Sequence, residues 1–291
     1  MNILIIGADG QLGSDLCKEI DKNEQTPLTI KDIDITDKNK TFSIIKKHQP
    51  NIVINTAAYN KVDDSEENDE LAFRINALGT KYLALACRES GATLVHLSTD
   101  YVFDGHKREP YVETDLPNPR SAYGISKLAG EYYVKYLVDK HFIVRTASLF
   151  GSAGCLGKGG GNFVENIIKS SKTNTEIKVV GDEIMSPTYS VHLARKINEL
   201  CRTEHYGLYH ITNNGECSWY EFACKIFELL KIDAKVTKIK STEYKTKAQR
   251  PMYSVLRNAK LQSLGLDDLP SWQEALKAYL IEKGYLSASQ A

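Results

Sequence analysis

The stretch NILIIGADGQLGSDLCKEI, residues 2–20, decides the fold. Ile3 to Ile6 form an unbroken apolar run that stops at Gly7, which predicts a strand buried on both faces. Leu12, Leu16 and Ile20 then recur at every fourth position, the stripe of an amphipathic helix over 11–20. Between them Gly7, Gly10 and Gly13 give the spacing G-x-x-G-x-x-G. Gly7 permits a sharp turn, Gly10 lets a pyrophosphate approach the backbone, and Gly13 lets the helix lie close against the strand. The free N–H groups that open the helix then receive the phosphate charge. The stretch reads as the start of a dinucleotide-binding unit.

The same rhythm continues outward. PLTI (27–30), NIVINTA (51–57), ATLVHLST (92–99) and HFIVRTA (141–147) read as strands. TFSIIKKH (41–48), LAFRINALGTKYLALACRES (71–90) and SKLAGEYYVKYLVDK (126–140) read as the helices between them. This alternation predicts an α/β protein with a Rossmann-type, doubly wound parallel sheet. After Phe150 the rhythm breaks. GSAGCLGKGGGN (151–162) is too glycine-dense for a regular element and reads as a mobile loop. A helix near 163–171, a strand IKVVG (177–181), and helices at 191–202, 219–230 and 271–286 follow, with strand-like LYHIT (208–212) and AKVTKIK (234–240) among them. Residues 1–150 are thus expected to form the dinucleotide-binding domain, rejoined by about 185–205. Residues 151–184 and 206–291 are expected to form a smaller C-terminal α/β substrate-binding domain.

Composition bounds the function. Of 291 residues 42% are hydrophobic and 25% charged, and Lys plus Arg equals Asp plus Glu at 37 each. No net field argues for nucleic acid or an anionic membrane, and neither is expected as a partner. The opening MNILIIGADG has no basic n-region, and no segment approaches the roughly 20 apolar residues of a membrane span. Six scattered cysteines (Cys17, Cys87, Cys155, Cys201, Cys217, Cys224) show no C-x-x-C or metal spacing. They predict reduced thiols, a cytoplasmic setting and no metal site. His96 reads as a core histidine, Trp219 and Trp272 as packing anchors, and the basic run from Lys235 to Lys247 as solvated. The chain could be a monomer or a homodimer.

Two acidic residues follow the second strand. Asp32 lies about twenty residues past the glycine loop, where a carboxylate binds the adenosine ribose, and Asp34 competes for that role. Lys31 beside Asp32 could tolerate a ribose phosphate, so both NADPH and NADH stay open as cofactors. The fourth strand runs out through HLSTDYVFDG (96–105), putting Ser98, Thr99 and Tyr101 at the carboxyl edge where open α/β sheets bind ligands. Tyr123 and Lys127 stand one helical turn apart in SAYGISKLAGE (121–131). Hydride arriving at a ketone leaves an alkoxide that needs a proton, and a tyrosine with a pKa of ~10 gives one up reluctantly at neutral pH. A nearby ammonium eases that loss, and a threonine hydroxyl can hold the carbonyl oxygen in line.

The combination of Thr99, Tyr123 and Lys127 resembles the extended short-chain dehydrogenase/reductases. GADGQLG, DITD (34–37), NTAAYNKVDDSE (55–66), STDYVFDG (98–105), YGISKLAGE (123–131), GNFVENI (161–167), SPT (186–188) and RPMYSVL (250–256) recur in order. Together they resemble the dTDP-4-dehydrorhamnose reductase family. The resemblance implies NAD(P)H-dependent reduction of the 4-keto group of a nucleotide sugar, dTDP-4-dehydro-L-rhamnose. It places Gly7, Gly10, Gln11, Leu12 and Gly13 at the pyrophosphate, Asp34 and Ile35 near the adenosine, and Ala57, Ala58 and Tyr59 beside the cofactor. It makes Thr99, Tyr123 and Lys127 the catalytic set, with Tyr123 and Lys127 also at the cofactor, Lys127 on the nicotinamide ribose, and Tyr101, Asn162 and Arg250 toward the substrate. The sixth strand departs from the family's pattern: RTASLF puts Ser148 where such reductases carry tryptophan. That leaves a reductase or epimerase for another 4-keto nucleotide sugar as an alternative, and a nucleotide-binding regulatory subunit as a second.

Overall fold

The structure, a computed structural model, describes residues 1–154 and 161–287. The first half lays down β1 (Ile3–Ile6), α1 (Gln11–Glu19), β2 (Gln25–Leu28), α2 (Lys38–His48) and β3 (Ile52–Asn55). It continues with α3 (Asp69–Phe73), α4 (Thr80–Ser90), β4 (Thr93–Thr99), α5 (Ala122–Leu137) and β5 (His141–Thr146). Next come β6 (Leu149–Phe150), α6 (Phe163–Ser171), β7 (Glu176–Val180), β8 (Ile184–Met185), β9 (Thr188–Tyr189) and α7 (Ser190–Leu200). Last are β10 (Gly207–His210), β11 (Cys217–Ser218), α8 (Trp219–Leu230), β12 (Lys235–Ile239), α9 (Ala259–Ser263) and α10 (Trp272–Glu282).

Six strands form one parallel sheet in the order β2-β1-β3-β4-β5-β10. The period of two in each strand divides its apolar residues between the faces. Ile3, Ile5, Ile52, Ile54 and Val95 pack under Leu12 and Leu16 of α1 and Leu193 and Ile197 of α7. Leu4, Ile6, Val53, Leu94 and Ile143 face the opposite side, where α2, α4 and α5 supply Ile45, Leu83 and Val134. With both faces covered, the strands read as continuous apolar runs. The chain order reverses between β1 and β3, the kind of switch point at whose carboxyl ends open α/β sheets bind ligands. A separate core joins Phe150, Val164, Ile167, Phe222, Leu276 and Tyr279 above this edge.

Four expectations are corrected. The second strand is Gln25–Leu28 rather than 27–30, because its register opposite Ile3–Ile6 ends where a turn at Thr29 begins. The long helix over 71–90 is interrupted by a π-helical segment at Arg74–Gly79. The helix expected to reach residue 140 runs Ala122–Leu137 and so stops three residues earlier, and at its start Ser121 accepts from the Gly124 N–H at 3.2 Å. The residues from 206 onward do not all leave the first unit. Gly207–His210 pairs with Phe142–Arg145 as the sheet's edge strand, and Leu261 and Leu269 enter the same core. The glycine-dense loop expected over 151–162 falls largely on residues 155–160, with Cys155, which lie outside the described residues.

An ionic knot ties α1 to α10. Lys18 Nζ lies 2.7 Å from Asp15 Oδ1 and 3.4 Å from Glu282 Oε1. Ser190 Oγ donates to Asp15 Oδ2 at 2.5 Å, Ser152 Oγ donates to Glu282 Oε1 at 2.9 Å, and the Tyr189 hydroxyl donates to Glu282 Oε2. No helix among the described residues is long and apolar enough to cross a membrane.

Candidate active site

Gly7 turns the chain out of β1 with φ +81°, and a Cβ there would lie 2.7 Å from Thr56 Oγ1. A Cβ at Gly13 would lie 2.1 Å from the Gly7 carbonyl oxygen, so only glycine lets α1 start this close to the strand. Gly10 occupies the N-cap of α1 and supplies no side-chain acceptor, which leaves the opening N–H groups of the helix for an anion. Gln11 and Leu12 are buried behind the loop, and Gln11 Oε1 is a buried acceptor without a partner. A glycine cradle and an uncapped helix start, both offering N–H donors, fit the pyrophosphate end of a dinucleotide.

Beyond β2, Asp32 Oδ2 accepts from both the backbone N–H and the hydroxyl of Thr29, each at 2.9 Å. Those two bonds hold its carboxyl below the usual range, and the side chain is exposed. Asp34 Oδ1 accepts from the Thr36 N–H at 2.9 Å and its hydroxyl at 2.8 Å. Each carboxylate therefore spends one oxygen on its own turn. Ile35 is buried against Gly79, where a Cβ would come within 2.7 Å of it.

Residues 57–59 are fixed from a distance. Asn76, in the π-helical segment, accepts from the Tyr59 N–H at 2.8 Å and donates to the Tyr59 carbonyl at 2.9 Å. The same amide donates to Ser126 Oγ at 3.0 Å, and Ser126 donates to the Tyr123 carbonyl at 2.8 Å. Ala57 N–H meets Asn55 Oδ1 at 3.1 Å, while the Tyr59 hydroxyl donates to Asp64. One buried amide thus ties the loop bearing Ala57, Ala58 and Tyr59 to the helix bearing Tyr123 and Lys127.

Thr99 ends β4, and Tyr123 sits in the first turn of α5 with Lys127 one turn on. The Tyr101 and Tyr123 rings meet edge to face at 5.8 Å. Gly124 follows Tyr123 because a Cβ there would lie 2.3 Å from the Tyr101 carbonyl. Lys127 is 2% exposed and its Nζ donates to the Leu97 carbonyl at 2.5 Å. Burial pulls its pKa down to about 8, against the pull of Glu131. Glu131 is itself buried, accepting from Arg145 Nε at 2.9 Å, Arg145 Nη2 at 2.7 Å and Ser98 Oγ at 2.5 Å. Through Arg145 and Ser98, Glu131 fastens α5, which carries Tyr123 and Lys127, to β5 and to β4, the strand that ends in Thr99. His96, wholly buried, holds Asn55 Nδ2 at 3.3 Å on Nδ1 and has no partner on Nε2.

On the substrate side, Arg250 Nη2 contacts Asp63 Oδ2 at 3.1 Å, and its buried Nε has no partner. Glu183, to which the Trp219 indole donates, also lies in the field of Arg250, and burial raises its pKa. Ser148 takes a left-handed backbone, φ 43°, at the bend between β5 and β6. Asn162, which the resemblance places toward the substrate, makes three bonds within the protein. It caps α6 by accepting from the Glu165 N–H at 3.1 Å and donates to the Gly151 carbonyl at 2.9 Å and the Tyr279 hydroxyl at 3.2 Å. Trp219 stacks obliquely on Phe163 at 4.7 Å, and Trp272 packs against Phe222. Among the described residues no group of three or more His, Cys, Asp or Glu could hold a metal ion.

Asn76, Asp63, Asp100, Glu131 and Glu183 were not expected from sequence spacing. Only Glu131 carried a local signal, standing four residues past Lys127 on one helical face.

A parallel sheet with its glycine turn at the reversal point, and a tyrosine–lysine helix packed at the same edge, define a dinucleotide-dependent oxidoreductase of the short-chain dehydrogenase/reductase type. Comparison with known proteins narrows this class. The chain belongs to the family described as the RmlD substrate binding domain, whose model matches residues 1–284. A solved dTDP-4-dehydrorhamnose reductase from Clostridium acetobutylicum is 45% identical with a TM-score of 0.93, over 98% of this chain and 100% of that one. The Bacillus anthracis dTDP-4-dehydrorhamnose reductase, solved in complex with NADP, is 42% identical with a TM-score of 0.93, over 97% of this chain and 100% of that one. A dTDP-4-dehydrorhamnose reductase of Aggregatibacter actinomycetemcomitans is 38% identical over 94% of this chain and 97% of its own.

Proposed function

We propose that the protein reduces the 4-keto group of dTDP-4-dehydro-L-rhamnose to give dTDP-L-rhamnose, with NADPH or NADH as reductant. The carrying observation is the placement of Tyr123 and Lys127 on a helix locked by Glu131 and Arg145 against the strand that ends in Thr99. A reduced nicotinamide supplies hydride when bound. Thr99 directs the carbonyl oxygen, and Tyr123 gives its proton to the alkoxide oxygen that forms. Lys127 favours the resulting tyrosinate by its charge. Gly7, Gly10 and Gly13 accept the pyrophosphate, while Asp32 or Asp34 takes the adenosine ribose. Arg250, with its unpartnered Nε, suits the substrate diphosphate through a planar array of donors. A cytoplasmic setting accords with five free cysteines among the described residues.

Purified protein supplied with that ketone and either reduced dinucleotide should consume the dinucleotide's absorbance. Absence of consumption with both cofactors refutes the assignment. A second reading, a different 4-keto nucleotide sugar, is favoured by Ser148, which offers no aromatic wall to a hexose. Turnover compared across a panel of 4-keto nucleotide sugars separates the two.

A further inference from the structure

The Thr99 hydroxyl has one hydrogen to give and two lone pairs. The Tyr101 N–H donates into the oxygen at 3.2 Å, and the hydrogen goes to Asp100 Oδ1 at 2.9 Å. A ketone oxygen can only accept. In this arrangement Thr99 has nothing to offer it, because its single hydrogen is held by the neighbouring carboxylate.

We propose that Asp100 is a positioning residue for the reduction, and that its protonation reverses the Asp100–Thr99 hydrogen bond and releases the threonine hydrogen to the substrate carbonyl. The inference rests on the reading of Thr99 as the group that directs the ketone. A protonated Asp100 donates to Thr99 Oγ1, leaving that hydroxyl free to donate elsewhere. The carboxyl is built for such a change. Asp100 is 3% exposed, and burial pushes its pKa up to about 6, against donation from the Ser254 and Thr99 hydroxyls and the N–H groups of Asp100 and Tyr101. The titratable group facing it is the Tyr101 phenol, which lies in turn beside Arg250, Glu183 and Tyr123. Ser254 follows Arg250 by four residues, so the strand of chain that carries the diphosphate arginine also touches the carboxyl controlling the threonine.

The sign is fixed. Below its pKa Asp100 carries a proton and Thr99 is released; above it Thr99 is held back. In the wild type, kcat/KM for ketone reduction should fall about tenfold from about pH 5 to about pH 7, on the way to the loss of about 10²–10³ found when one donor to a developing oxyanion is removed. Asp100→Asn presents an amide that donates to Thr99 at every pH, and its profile should be flat across that interval. NADH is used beside NADPH, since the 2′-phosphate of NADPH has an ionisation of its own near about 6. A wild-type profile without the fall, or an Asn variant that keeps it with NADH, overturns the proposal.

A second measurement needs no turnover. The Asp100 carboxyl, titrated by carbon-13 NMR, should ionise at higher pH in Thr99→Val than in wild type, because a donated hydroxyl has been removed. An unchanged value overturns the proposal whatever the enzyme reduces. A raised value, in a protein that turns over no 4-keto sugar, keeps the Asp100–Thr99 coupling and rejects the functional reading instead.

Discussion

Tyr123 alone carries the proton in this account, so Tyr123→Phe should lower kcat by about 10²–10⁴, the span usual for a lost general acid. Dinucleotide affinity, measured by fluorescence titration, should stay within about twofold, because the glycine cradle lies on another element. Lys127 and Glu131 form the second residue-scale test. Glu131 supports the lysine's charge, so Glu131→Gln should move the alkaline fall of kcat to lower pH. The same change strands the Arg145 guanidinium, 2% exposed, and should cost about 3–5 kcal/mol in urea unfolding. Glycines and the tyrosine–lysine pair were readable in the sequence because each acts over a few residues. Asn76 was not, since its bonds reach 17 residues back to Tyr59 and 50 forward to Ser126. Asp63 meets Arg250 across 187 residues, and no local pattern announces such a partner.

At the scale of elements, periodicity found the strands and helices, and contacts fixed their ends. The run Trp219–Leu230 has the limits its pattern predicts, and Ser218 at its N-cap forms a capping box with Glu221 in its first turn. β2 was misplaced by two residues, since Gln25 and Thr26 carry no apolar signal and are set by pairing with Ile3 and Leu4. The π-helical segment at Arg74–Gly79 packs against α5, and Gly130 is a point of contact. A Cβ on Gly130 would lie 2.5 Å from the Asn76 carbonyl, a backbone atom that cannot swing aside. Gly130→Ala should therefore destabilise by about 1–3 kcal/mol. It should also raise KM for the dinucleotide, because Asn76 holds the loop at Tyr59. Unchanged thermal stability and KM would show that the two helices have room to part.

For the whole molecule, the buried histidines make stability depend on acid. His210, wholly buried on the edge strand β10, has its pKa pulled from 6.5 to about 3, mainly by burial. A group whose folded pKa is depressed contributes stability that is full above its unfolded value and is lost as pH falls through the folded one. The urea midpoint should decline as pH drops from 6.5 toward 3, and His210→Gln should flatten part of that slope. A wild-type midpoint that does not move over this interval would exclude the mechanism.

The knot between Asp15 and Glu282 has a bearing on biosynthesis. Asp15, with its side chain 1% exposed, lies in α1, while Glu282 belongs to α10, the last described helix and one translated long after it. The edge strand at 207–210, and Leu261 and Leu269 in the first core, are likewise translated late. An emerging chain cannot finish its nucleotide-binding half before its tail is made. Nascent polypeptides halted near residue 150 should remain open to protease, and a gene interrupted shortly before α10 should yield a product cleared by quality control instead of a working half-enzyme.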